Sequence, residues 1–116
     1  MGKGELVAGL SMTFWPNPVY RNHTGEMRWY FNVAVQERSA RRVHIRRYRG
    51  EWYDMDGRLQ DTKDGEVDIH LTPLQHISFA DLWVISAIPR FRYRLVLVGR
   101  DEHGQEVRGE ESLVCQ

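Results

Sequence analysis

Six arginines crowd one short stretch (Arg38, Arg41, Arg42, Arg46, Arg47 and Arg49), with no acid between them. The next segment reverses the sign, since residues 50–81 carry eight carboxylates against Arg58 and Lys63. Guanidinium groups make planar, bidentate contacts with carboxylate, sulfate or phosphate, so a cluster of them suits an anionic partner. Asp54-Met-Asp56-Gly57, followed by Asp61, offers hard oxygens to a calcium ion. It lacks the twelve-residue loop spacing and terminal glutamate of an EF-hand, and a plain hairpin turn explains it more simply. Trp15, Trp52 and Tyr53 stand near turns, where aromatic faces could stack on sugar rings. The five histidines show no metal-ligand spacing. No nucleophile elbow, phosphate-cradling glycine loop or carboxylate pair in an apolar setting is present, so the expected role is not catalytic.

Length and composition bound what can carry such groups. At 116 residues with 41% hydrophobic content, the chain is expected to form one domain with a real core. Met1 to Gly4 reads equally as a native start or a cloning remnant. No apolar run spans a bilayer and no signal peptide is visible, so localisation stays open, with an extracytoplasmic setting and a larger multidomain parent slightly favoured. The formal net charge is zero, which disfavours nucleic acid and anionic membrane as partners of the whole surface. Cys115 is the single cysteine, so no internal disulfide forms; it is a strand-end residue or a point of intermolecular pairing.

The elements that must position these groups are strands. Pro89 to Val107 is the clearest stretch. Phe91, Tyr93, Leu95 and Leu97 share one face and Arg92, Arg94, Val96 and Val98 the other, the period of two of a half-buried strand. Asp101-Glu-His-Gly104 then supplies turn chemistry, a carboxylate for nearby backbone and a glycine for positive φ. Leu6 to Phe14 alternates as a first strand, stopped by Trp15-Pro-Asn-Pro18. Met27 to Gln36 puts Met27, Trp29, Phe31, Val33 and Val35 on one face, worth on the order of 10 kcal/mol of burial before entropy. The strand from Val43 to Tyr53 changes phase between Ile45 and Tyr48, so a β-bulge is expected near Arg46-Arg47. Asp61 to Gly65 reads as an acidic loop and Val67 to Leu71 as a short strand. Ile77 to Ile85 has strand character, with a single helical turn allowed at Ala80-Asp-Leu82. Seven or eight strands without a convincing helix point to an all-β, antiparallel β-sandwich.

Within that layout, P-x-x-x-Y-x-L-x-L-x-G-x-D-x-x-G from Pro89 to Gly104 resembles the E–F corner, F strand and F–G turn of fibronectin type III and related immunoglobulin-like domains. The resemblance implies that Tyr93 is a tyrosine-corner residue whose hydroxyl bonds back to backbone. It also implies that Leu95 and Leu97 are core, that Gly99 is the required small residue, and that Trp29 is the buried tryptophan of an early strand. The Asp54 region looks slightly like a calcium loop of a C2 domain, another β-sandwich. The aromatic residues would serve as in β-sandwich carbohydrate-binding modules.

The expected function is an interaction or spacer module that presents Arg46, Arg47, Arg49, Arg92 and Arg94 on one sheet face to a protein or an anionic polymer. Carbohydrate binding through Trp15, Trp52 and Tyr53 is the alternative. A C2-like calcium site at Asp54, Asp56 and Asp61, or a small hydrolase, stands third. Like charges across paired strands destabilise a sheet, so anions must sit among the arginines. Glu106, Glu110 or the acidic 54–68 segment are the expected counter-ions.

Overall fold

A computed structural model describes residues 9–21 and 27–116. Seven strands build it: β1 (Leu10–Trp15), β2 (Arg28–Glu37), β3 (Val43–Tyr53), β4 (Leu59–Leu71), β5 (His76–Ile85), β6 (Phe91–Asp101) and β7 (Glu106–Cys115). They form a three-stranded sheet, β1-β2-β5, packed on a four-stranded sheet, β4-β3-β6-β7, with every strand pair antiparallel. The chain is therefore an all-β antiparallel sandwich, as the strand count predicts. The portion of the expected first strand from Leu6 to Ala8 lies outside the described residues.

The inner rows are the alternating apolar ones. Trp29, Phe31, Val33 and Val35 of β2 are buried against Phe91, Tyr93 and Leu97 of β6. Trp29 meets Phe91 edge-to-face with centroids 4.8 Å apart, and its indole N–H donates to the Gln116 carbonyl at 3.0 Å. That satisfies the polar end of a fully buried ring. The bulge falls where the phase slip required it, between Ile45 and Arg47. Here β3 presses onto β6: a Cβ added at Gly99 would lie 2.2 Å from the His44 carbonyl oxygen, so only glycine fits. The β6–β7 turn also forms as read. Asp101 accepts from the backbone amides of His103 and Gln105 at 2.9 and 3.0 Å, and Gly104 has φ +79°.

Three expectations are corrected. Asp61 to Gly65 is not a loop but the middle of a thirteen-residue β4, paired with β3 through Trp52↔Asp61, Gly50↔Lys63 and Tyr48↔Gly65. Ala80 to Leu82 is not a helical turn. One extra residue on β5 makes a bulge: Ala80 and Asp81, the latter at φ 59°, stand opposite Asn32, whose side-chain oxygen accepts from the Asp81 amide. Tyr93 does not act as a tyrosine corner. Its ring lies over Gly50, where an added Cβ would come within 2.6 Å of the hydroxyl oxygen, and packs edge-on to Trp52. Among the described residues its hydroxyl makes no hydrogen bond, and burial pushes its pKa up to about 12.

The two sheets close on one side only. β1 packs against β7, and residues after β1 cross over to the β7 edge, where Val19 pairs with Cys115. Asn17 clamps this crossing from both sides, donating to the Ser112 carbonyl and accepting from the Val114 amide. On the other side β4 and β5 stand apart. Val67 and Ile69 of β4, and Ile77, Phe79 and Leu82 of β5, are only half-buried although they point inward.

Candidate functional site

β3 and β6 are neighbours, so Arg47, Arg49, Arg92 and Arg94 do share the outer face of the four-stranded sheet. Glu51 lies in the middle of them on β3, with its side chain 10% exposed. Its carboxylate accepts from Arg49 Nε at 2.9 Å, Arg94 Nη1 at 2.9 Å and the Tyr53 hydroxyl at 2.8 Å. Arg49 also reaches Asp64 at 3.2 Å, and Arg94 also pairs with Glu110. Burial raises the Glu51 carboxyl pKa, but the hydrogen bonds from Tyr53, Arg49 and Arg94 outweigh it and hold the group at about 2. Both guanidinium groups are held more firmly protonated in return, chiefly by their bonds to Glu51.

Arg49 and Arg94 are thus neutralised internally. Two of the anticipated counter-ions, Glu110 and Asp64, take part, but Glu51 is the principal one and was not anticipated. Its signal was present: as the odd-numbered neighbour of Arg49 on the same strand, it has the same outward phase. Beneath the network Val96, between Arg49 and Glu110, is buried despite its outward phase. Arg46 in the bulge, Arg47 and Arg92 are exposed and make no ion pair among the described residues.

The other candidates do not converge. Trp15 is exposed at the end of β1, Trp52 faces the space between the sheets, and Tyr53 lies on the arginine face bound to Glu51. They occupy three different surfaces and form no single stacking platform. Two exposed aromatic residues unremarked in the sequence, Tyr30 and Trp83, do face each other across β2 and β5, with centroids 6.1 Å apart and Arg28 over Trp83. Asp54 is committed to its turn, accepting from the amides of Asp56 and Arg58 and from the Gln60 side chain. Asp61 accepts from the Thr62 amide. Among the described residues these aspartates make no converging ligand group; that distinction belongs to His44, Asp68 and His70. Cys115 is fully buried, and burial pushes its thiol up to about 12, so it presents no thiolate at the surface.

A large concave feature is the opening between the sheets, a cleft of about 1000 Å³. Phe31, Val33, Tyr48, Trp52, Phe79 and Leu95 are among the side chains that line it. The turn Thr72–Gln75 joins its two walls, β4 and β5, at one end. At the other end the Trp52 indole N–H donates to the Ile85 carbonyl at 3.0 Å and ties the sheets together. Gln60, Asp61, Lys63 and Ser86 supply polar groups along the rim. Asp61 and Lys63 share the inward phase of Val67 and Ile69 on an edge strand, a placement that also discourages another strand from adding there. Sequence reasoning missed this cleft because it followed single strands, whereas the opening is set by how far β4 stands from β5.

No family model matches the chain, and no curated protein matches it in sequence. Solved structures do match in shape. One is the structural genomics target SoR45, with a TM-score of 0.72 at 7% identity, covering 92% of this chain and 87% of that one. Another is a Bordetella pertussis protein described as ApaA, with a TM-score of 0.66 at 13% identity, covering 91% of this chain and 93% of that one. At these identities the likeness shows the sandwich fold alone.

Proposed function

We propose that the chain is a non-catalytic interaction module of fibronectin type III-like architecture that binds an elongated apolar ligand in the cleft between its sheets. The fourth strand pairs with the third, whereas the immunoglobulin constant arrangement puts it with the first, second and fifth. That order supports the type III side of the resemblance. The observation that carries the functional reading is the cleft: its size matches small-molecule sites, its walls are aliphatic and aromatic, and its polar groups stay at the rim. An apolar body would lie along Phe31, Leu95 and Phe79, with a polar end among Gln60, Lys63 and Ser86. The arginine face is the weaker binding element, since its two most central guanidinium groups are already taken by Glu51.

Burying each methylene contributes about 0.8 kcal/mol, so a twelve-carbon chain gains roughly 10 kcal/mol gross. Association entropy removes at least about 4 kcal/mol, which leaves affinity in the tens of micromolar. The test is titration with alkanols of increasing length, followed by the fluorescence of Trp52 and Trp83. Affinity is expected to rise about fourfold per methylene until the cleft is full. Val67→Trp, which fills the cleft, should abolish binding while the fold persists. Absence of binding to the wild type, or unchanged binding to Val67→Trp, would refute the reading.

A further inference from the structure

We propose that His44, Asp68 and His70 form a site for a divalent transition-metal ion, with zinc the best-matched. The site lies on the outer face of the four-stranded sheet and is independent of the cleft. His44 on β3 is the cross-strand partner of His70 on β4, and Asp68 sits two residues before His70 on the same face. The His44 Nε2 lies 2.6 Å and the His70 Nε2 3.0 Å from one oxygen of Asp68, and the two imidazoles stack with centroids 4.0 Å apart. All three ligand atoms lie within 4.8 Å of one another.

A tetrahedral zinc with bonds near 2.1 Å wants ligand atoms about 3.4 Å apart. Withdrawal of the Asp68 oxygen by less than about 1 Å, within reach of a side chain that is 77% exposed, makes room for the ion. Two imidazole nitrogens and one carboxylate oxygen match the ligand preference of zinc, nickel and copper rather than calcium or magnesium. The fourth position opens to solvent, because His70 is 71% exposed. The nearest cation by register, Arg100 opposite His44, has its guanidinium tied to the Gly104 carbonyl at 2.7 Å.

The arrangement depends on the bulge. On β4 two residues, Val67 and Asp68, stand opposite the single Arg46 of β3; without that one-residue shift in register His44 would pair with Ile69, and the two histidines would not meet. An ion there would pin β4 to β3 at the end of the hairpin remote from its turn.

Zinc chloride titrated into the full chain at pH 7.5, followed by calorimetry, tests this. The expected result is one ion per chain with micromolar affinity, at least tenfold weaker in Asp68→Asn and His70→Gln. His76→Ala and His103→Ala should match the wild type. Substoichiometric nickel should broaden the His44 and His70 imidazole resonances first. Binding weaker than millimolar, or equal binding by His70→Gln and wild type, would overturn the proposal and leave the three residues as a hydrogen-bonded surface cluster. All three side chains are partly or largely exposed, and circular dichroism of each variant separates loss of ligand from loss of fold.

Discussion

Replacing Glu51 with glutamine keeps the shape of the side chain and removes its charge. Glu51 is the anion that lets Arg49 and Arg94 lie on adjacent strands, so the substitution isolates what that charge contributes. Its carboxyl moves from an ordinary 4.5 to about 2 on folding. Each tenfold in that constant corresponds to about 1.4 kcal/mol, so the charged form contributes roughly 3 kcal/mol at pH 7. The folded-state value is depressed, so this stability is present above about 4.5 and is lost as the pH falls toward 2. By the same linkage about 1 kcal/mol survives at pH 3. Glutamine still bonds to part of the network, and Arg49 and Arg94 keep Asp64 and Glu110. The expected cost at pH 7 is therefore about 2 to 3 kcal/mol, or roughly 10 °C in Tm for a domain of this size. Urea unfolding of both proteins at pH 7 and pH 3 reads it directly. The gap between them should narrow by more than half at the lower pH. A gap under about 0.5 kcal/mol at pH 7, or one that does not change with pH, would refute the reasoning.

Two further substitutions probe the same sheet. Gly99→Ala drives a methyl group into the His44 carbonyl, which is backbone and cannot move aside, so a loss of about 3 kcal/mol is expected in chemical denaturation. A loss within about 0.5 kcal/mol would mean that β3 does not press on β6 at the bulge. Arg92→Gln should change stability by less than about 0.5 kcal/mol and Arg94→Gln should cost about 1 to 2 kcal/mol, because only Arg94 is bonded to Glu51 and Glu110. Equal effects in paired melts would show that the network does not distinguish them.

The strands legible in the sequence were those with one wet and one dry face. β2 and β6 alternate because each has one row in the core and the other turned outward, and that period survives in the residue types. β4 was not legible over its first half. Asp61 to Gly65 holds no apolar row, since as the edge of an open cleft it has little to bury, and its hydrogen bonds come from β3. The arginine face was placed correctly because phase and strand adjacency suffice for it. Its neutralisation by Glu51 is harder to read, because the acid lies on the same strand as Arg49, two positions along, and not only on the strands beside it. His44 and His70 lie too far apart in the chain to form a motif. Only the hairpin at Asp54–Gly57, combined with the register shift at the bulge, aligns them. The cleft was out of reach, since the separation of two edge strands leaves no pattern in either.

The most direct test of the cleft as the binding element is a two-dimensional amide and indole NMR titration with dodecanol. The account predicts that the Trp52 indole resonance and the backbone amides of Leu82, Leu95 and Val67 shift together and saturate, while those of Arg92 and Arg47 stay in place. Shifts confined to the arginine face, or no saturable shift at all, would contradict it.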